Sequence, residues 1–305
     1  MTKPRIGLAL GSGAARGWAH IGVIEALREA GIEPDIVCGA SMGSLVGAAY
    51  VAGRLSMLKE WAEAATWREI VALIDVRLAG GEVVDGRLIR EFLQGLGIEK
   101  PIESHAKLFA AVATDLASGR EIWIQTGPIH EAVRASIAMP GILSPARLDG
   151  KWLTDGGLTN PVPVSVCRAL GADVTIAVNL NGDLVGRRFD PGEPAASPAA
   201  HVSGDFLDKV LSQLPPPIRV HVESIAPRLF PQGASSPGYF DVLANSLNIM
   251  QDHITRTRLA GEPPHVMLVP RLSNFGWMEF NRAKEAIAEG RACVEHALPV
   301  LARYK

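Results

Sequence analysis

The sequence predicts an α/β fold built around a largely parallel sheet. Three observations carry that prediction. Short apolar runs alternate with helical patterns through the first 180 residues. Strands that alternate with helices are joined by crossovers, and crossovers make neighbouring strands parallel. The first run, Ile6 to Leu10, reads as a buried strand, and an apolar run returns late, at Val266 to Val269, which assigns the C-terminal third to the same sheet.

Each element follows from local pattern. After the strand Ile6–Leu10, Trp18 to Ala30 reads as a helix, with Ile21, Ile24, Leu27 and Arg28 at helical spacing and Gly31 as its C-cap. Ile36 to Cys38 is a second short strand, and Ser44 to Ala52 a helix of small residues. Trp61 to Val71 and Arg87 to Leu96 read as further helices, the second preceded by turn chemistry at Asp85-Gly86. Leu108 to Thr114, Glu121 to Gln125 and Val174 to Asn179 are strand-like. Beyond Leu180 the composition shifts: Asp183 to Ala200 is rich in Pro, Gly and Ala without a period, and reads as a loop or linker. Asp205 to Leu214 sets Phe206, Leu207, Val210, Leu211 and Leu214 on one face, and Pro215 to Pro217 stop that helix. This segment reads as a lid, a membrane-contacting element, or a helix buried against the body or in a dimer interface. Phe240 to Leu259 is a stronger helix with Leu243, Leu247, Met250 and Ile254 on one side, and Phe280 to Leu301 is a final one. The expected organisation is one domain over residues 5–305 with an insertion at 183–240.

Composition narrows the function classes. A chain of 305 residues suffices for one large domain or two modest ones, and 48% hydrophobic with 20% charged residues reads as globular. A net charge of −2 gives no basis for nucleic-acid binding. Cys38, Cys167 and Cys293 are widely spaced and form no CxxC, against a disulfide framework or zinc site and compatible with a reducing compartment. No secretory leader precedes the first strand, and no apolar run is long enough to span a bilayer. A cytoplasmic location is expected, with contact at the inner face of a membrane left open, as is a homodimer.

Three glycine-bearing segments carry the chemistry. In Gly39-Ala40-Ser41-Met42-Gly43 a serine stands at a sharp turn between strand and helix, which exposes a hydroxyl for nucleophilic attack. The following helix aims the positive end of its dipole at that turn. A small-residue turn without chemistry is the bland alternative. Gly11-Ser12-Gly13-Ala14-Ala15-Arg16-Gly17 also joins a strand to a helix. A dinucleotide fingerprint would need an acidic residue closing the second strand, and that place is taken by the Ser41 turn. The N–H groups around Gly13, Ala14 and Ala15 are better read as an oxyanion hole for Ser41. Arg16 either holds this loop by hydrogen bonds, attracts an anionic headgroup, or is a solvated arginine at a helix start. Asp155 precedes Gly156-Gly157 at the end of an apolar run, where it is either a carboxylate base or an ordinary Asp-Gly turn. None of the eight histidines has metal-ligand spacing, and no metal or cofactor is expected. A Ser-His-Asp hydrolase usually sets several strands before its serine turn, whereas here Ile6–Leu10 alone precedes the strand leading to Ser41.

These residues resemble the patatin-like phospholipase family, in particular its bacterial RssA-like branch related to neuropathy target esterase. The resemblance rests on Leu8 to Gly17 with Ala19 to Val23, on Gly39 to Ser44, on Ser136 to Gly141, and on Asp155-Gly156-Gly157. It implies a three-layer α/β/α fold and a Ser–Asp dyad, with Ser41 as nucleophile and Asp155 as base. It further implies hydrolysis of carboxylic esters in lipids or lysophospholipids through an acyl-enzyme. Ser12 and Ala14 stand where that family commonly has glycine, which leaves the loop's conformation at Ala14 open. An acyltransferase using the same dyad and a non-enzymatic regulator keeping the fold are the competing readings.

Overall fold

The computed structural model describes residues 3–66, 69–70, 73, 86–184 and 239–304. Among these, β1 (Ile6–Leu10), β2 (Ile36–Ala40), β3 (Leu108–Asp115), β4 (Glu121–Ile124), β5 (Ala146–Leu148), β6 (Lys151–Asp155), β7 (Val174–Val178) and β8 (Val266–Leu268) form one sheet. Its order is β5-β6-β3-β2-β1-β7-β8, with β4 also paired to β3. The pairs β3–β2, β2–β1, β1–β7 and β7–β8 are parallel. β4 and β6 pair antiparallel with β3, and β5 antiparallel with β6. The late strand therefore completes the same sheet, as the sequence predicts.

Alternation along the central strands builds a core on each face. Leu8 and Leu10 of β1 and Val37 of β2 join the larger apolar cluster, whereas Ala9, Ile36 and Cys38 join the smaller one. The larger cluster is closed by α1 (Ala19–Glu29), α2 (Met42–Val51) and α8 (Ala283–Leu301). The smaller one is closed by α6 (Val164–Ala169), with Leu259 of α7 (Tyr239–Gly261) packed at its margin. The result is a helix–sheet–helix sandwich whose central strands are apolar on both faces, as parallel strands covered twice must be. Each fully buried Leu or Ile contributes about 1.5–3 kcal/mol relative to exposure.

Several boundaries differ from the sequence reading. The helix expected over Trp61–Val71 is α3 (Leu55–Ala64), which ends at Ala65. Its buried residues Leu55, Leu58 and Ala62 set the period from six residues further upstream. Thr66 then opens a new turn, accepting from the Glu69 N–H at 3.4 Å while Glu69 accepts from the Thr66 N–H at 2.8 Å. That reciprocal pair is a capping box, and the sequence reading ran two segments together. α4 (Arg87–Gly95) lies where expected, while α5 (Ile129–Ser136), α6 and β5 had no counterpart. Asp85, Val71, the helix at Asp205–Leu214 with its three prolines, and nearly all of the 183–240 insertion lie outside the described residues.

Candidate active site

Ser41 forms the joint between β2 and α2. Its backbone sits at φ 55°, ψ −127°, on the left-handed side that a residue with a Cβ seldom occupies. Such strain costs on the order of 1–3 kcal/mol and persists only where the surroundings impose it. Here they do. A Cβ on Gly43 would lie 2.1 Å from the Leu10 carbonyl oxygen, so only glycine lets the first turn of α2 rest on the end of β1. The Ser41 carbonyl accepts from the Ser44 N–H at 2.8 Å and the Ser44 hydroxyl at 2.7 Å. The Ser41 N–H donates to Ser136 Oγ at 3.0 Å, and Ser136 in turn donates to the Val112 carbonyl at 2.5 Å. Ser136 thus pins the turn to β3, a role that no periodicity in the sequence signals.

β3 also sets the distance to Asp155. Ala40 pairs with Val112 on one strand, and Asp155 pairs with Ala113, the next residue along β3. Ser41 directly follows Ala40, so two residues 114 positions apart meet by register. Ser41 Oγ donates to Asp155 Oδ2 at 2.6 Å, and the Gly157 N–H donates to Asp155 Oδ1 at 2.7 Å. Gly156 allows this turn to close on β3, since a Cβ there would stand 2.0 Å from the Val112 oxygen. Both Ser41 and Asp155 are buried. Burial pushes the Asp155 carboxyl up to about 6, against the opposing pull of the Ser41 hydroxyl and the Gly157 N–H.

The glycine loop lies beside this pair. The Gly11 N–H donates to the Val178 carbonyl and the Ser12 N–H to the Pro161 carbonyl at 2.8 Å. The Ala15 N–H donates to the Trp277 carbonyl at 3.0 Å, so it is committed elsewhere and is not available to an oxyanion. That corrects the expectation for Ala15. The N–H groups of Gly13, Ala14 and Met42 have no acceptor among the described residues. Ala14 takes φ 49° in place of glycine, a left-handed conformation that alanine holds at a cost of roughly 1–2 kcal/mol. Gly17 abuts the Met42 side chain, and Gly39 faces the Gly43 carbonyl, packing the loop and the turn together. Arg16 is 1% exposed and donates through Nε to the Gly13 carbonyl at 3.2 Å. It holds the loop from inside; the solvated-arginine reading is set aside.

Histidine takes no part in the Ser41–Asp155 contact. His20 is buried, and its Nε2 lies 2.7 Å from the Gly11 carbonyl. With a carbonyl as partner, Nε2 carries the hydrogen. Burial holds the imidazole pKa down to about 4, so His20 is a neutral brace under the loop. Among the described residues no histidine hydrogen-bonds Ser41 or Asp155, no group of three His, Cys, Asp or Glu could hold a metal ion, and no helix is long and apolar enough to cross a membrane.

A cavity of about 100 Å³ opens at Ser41. Ala14 and Met42 flank the hydroxyl, and Trp18, Trp61, Phe92 and Phe280 form an aromatic wall. Those rings touch in sequence: Phe280 and Trp18 at 6.2 Å, Trp18 and Trp61 at 6.2 Å, Trp61 and Phe92 at 4.4 Å between centroids. Ile142 and Leu143 face them, and among the described residues Ser41 is the one hydroxyl in the lining. The aromatics come from four separate parts of the chain, so no motif marks them. A more open hollow of about 580 Å³ lies elsewhere, lined by Trp123, Ser165, Arg168 and Arg258. Its arginines are occupied, Arg258 by Glu121 and Arg168 by the Pro263 carbonyl, and its serine accepts from Asn160 Nδ2 at 3.0 Å.

Residues 8–168 match the family model described as patatin-like phospholipase. An NTE family protein of Mycobacterium tuberculosis is 34% identical over 339 residues, covering 97% of this chain and 92% of that protein. Patatin-like phospholipase domain-containing protein 6 of Homo sapiens is 33% identical over 187 residues, covering 59% of this chain and 14% of that protein. The crystal structure of VipD from Legionella pneumophila superposes with a TM-score of 0.46 at 13% identity, over 98% of this chain and 67% of that one.

Proposed function

This chain belongs to the patatin-like phospholipase family, whose name implies a lipid ester hydrolase, and on that premise we propose that it cleaves carboxylic esters of lipids or lysophospholipids with a Ser41–Asp155 dyad. One observation carries the reading: a serine hydroxyl 2.6 Å from a buried carboxylate, with no other acceptor for that hydroxyl among the described residues.

Ser41 Oγ attacks the ester carbonyl carbon as its proton passes to Asp155 Oδ2. The carbonyl oxygen gains negative charge and faces the N–H groups of Gly13 and Ala14, with the Met42 N–H at the start of α2 beside them. Losing one such donor typically costs about 10²–10³ in turnover. The intermediate collapses, the alcohol leaves with the proton from Asp155, and the acyl group stays on Ser41. Water then attacks the acyl-enzyme, giving a proton to Asp155; the second intermediate collapses as Asp155 returns that proton to Ser41 Oγ, and the free acid departs. An aspartate of ordinary acidity is a weak base for this work; at about 6 it is a markedly better one. The apolar cavity takes the acyl chain, delivered from a lipid surface.

A fluorophosphonate probe tests the reading, with peptide mapping to locate the label and a lipid-ester panel read by mass spectrometry. Labelling at Ser41 and release of free fatty acid are expected. An unlabelled Ser41 in folded protein, or full esterase activity in Ser41→Ala, would overturn it. Ester formation on an added alcohol in place of free acid would replace hydrolysis by acyl transfer.

A further inference from the structure

The oxyanion-hole loop is held by a closed ring of hydrogen bonds, two of whose side chains, Asn181 and Gln251, lie far from it in sequence. Ser12 Oγ donates to Gln251 Oε1 at 3.1 Å. The same oxygen accepts from Asn181 Nδ2 at 2.9 Å, so both its lone pairs are used. Asn181 Oδ1 accepts from Arg16 Nη2 at 3.1 Å, and Arg16 Nε returns to the Gly13 carbonyl at 3.2 Å. Ser12 and Gly13 are adjacent, so the circuit Ser12–Gln251–Asn181–Arg16–Gly13 closes. Asn248, one turn from Gln251 on α7, accepts a second bond from Arg16 Nη2 at 3.0 Å. Every side chain in the ring is buried.

Gln251 also reaches the other half of the site. A Cβ on Gly157 would lie 2.6 Å from Gln251 Nε2 and 2.9 Å from Ser12 Cβ. Gly157 is the residue whose N–H holds Asp155. One amide side chain therefore packs between the loop that faces the oxyanion and the turn that carries the base. Asn181, Asn248 and Gln251 all lie beyond the residues that match the family model.

We propose that Gln251 is a positioning residue for catalysis: through Ser12, and through Asn181 and Arg16, it fixes the Gly13 and Ala14 N–H groups at the geometry the oxyanion needs. This rests on the esterase reading above. The physical reason is that a donor misplaced by a few tenths of an ångström loses much of its worth to the transition state while still letting substrate enter. A buried ring of mutual hydrogen bonds resists that displacement, whereas one broken member leaves its neighbours without those partners.

The test compares Gln251→Leu, Gln251→Glu, Ser12→Ala and, as a control, Thr255→Ala, which is buried on the same helix but outside the ring. Enzyme concentration is set by fluorophosphonate titration of Ser41, so misfolded protein does not count. Gln251→Leu should lower kcat about 10–100-fold with KM within about threefold, the range for loss of an oxyanion donor or less. Ser12→Ala should show a smaller loss of the same kind, and Thr255→Ala none. Gln251→Glu keeps the acceptor oxygen and should recover part of the loss. The acid limb of the kcat/KM profile should stay in place while its plateau falls, because the Asp155 hydrogen bonds are untouched. Wild-type kcat in Gln251→Leu, a loss confined to KM, or an equal loss in Thr255→Ala would overturn the proposal. If wild-type enzyme itself takes no label at Ser41, the esterase reading falls first and the positioning role with it.

Discussion

At the scale of single residues, the environment of Asp155 makes two opposite demands on one carboxyl. Burial raises its folded pKa to about 6, from an ordinary value of 3.8. The base must be ionised, so kcat/KM on a soluble short-chain ester should rise with pH through about 6 and then level off. A limb centred near 4 would show that the burial does not act on the reacting state. For stability the sign is reversed. Because the folded state holds this proton more tightly than the unfolded state, its contribution declines as pH rises from about 3.8 to about 6. At pH 8 the folded protein carries a penalty of up to about 3 kcal/mol for a buried anion. Asp155→Asn removes the charge and should lose at least ~10³ in kcat. The same variant should unfold at equal or higher urea concentration than wild type at pH 8. A variant both inactive and clearly less stable at that pH would argue that the carboxylate is structural. The Ser41 and Asp155 segments are local patterns, a strand–turn–helix serine and an Asp-Gly-Gly strand end, each of which alone also reads as an ordinary turn; their coexistence and the family resemblance singled them out. The commitment of the Ala15 N–H to Trp277 was not, since the acceptor lies 262 residues away.

At the scale of elements, the joint between β2 and α2 is the most constrained part of the site. Gly43 lets α2 rest on the end of β1, and the Cβ of Gly43→Ala would stand 2.1 Å from the Leu10 oxygen. We expect that variant to lose about 1–3 kcal/mol by chemical denaturation, the range for overpacking where backbone must shift, and to lose Ser41 labelling in the protein that remains folded. Labelling at the wild-type rate would show that the turn tolerates a wider spacing. The aromatic wall makes a separate prediction about the cavity. Trp61 contacts both Trp18 and Phe92. Trp61→Ala should lengthen the space available to an acyl chain and raise the long-to-short-chain ratio of kcat/KM by about tenfold, roughly two methylenes' worth of burial. An unchanged ratio across a chain-length series would place the acyl group elsewhere. The misread helix at Trp61–Val71 is instructive here. Trp61 lines the cavity from the last turn of α3, whose buried period begins at Leu55, six residues before the expected start.

At the scale of the whole molecule, two buried titratable groups work against each other. His20, held down to about 4 under the glycine loop, binds its proton less tightly folded than unfolded. Its contribution is therefore lost as pH falls from 6.5 towards 4, just where Asp155 gains. Wild-type stability should be comparatively flat between pH 6.5 and 4.5, and Asp155→Asn should fall more steeply over that window, measured by urea midpoints. Parallel slopes for the two proteins would refute the compensation. The sequence by itself determined the parallel-sheet class, the order of most long elements, and three short segments that carry the Ser41 turn, the glycine loop at Gly11–Gly17 and the Asp155 turn. All of these depend on periods and turn chemistry that act within a few residues. The pairing of β6 with β3, the aromatic cavity, the Ser136 pin and the Ser12–Gln251–Asn181–Arg16–Gly13 ring were decided only by the tertiary structure. They depend on contacts between residues 24 to 262 apart, and such contacts arise from strand register and helix docking, to which no local pattern in the chain is bound.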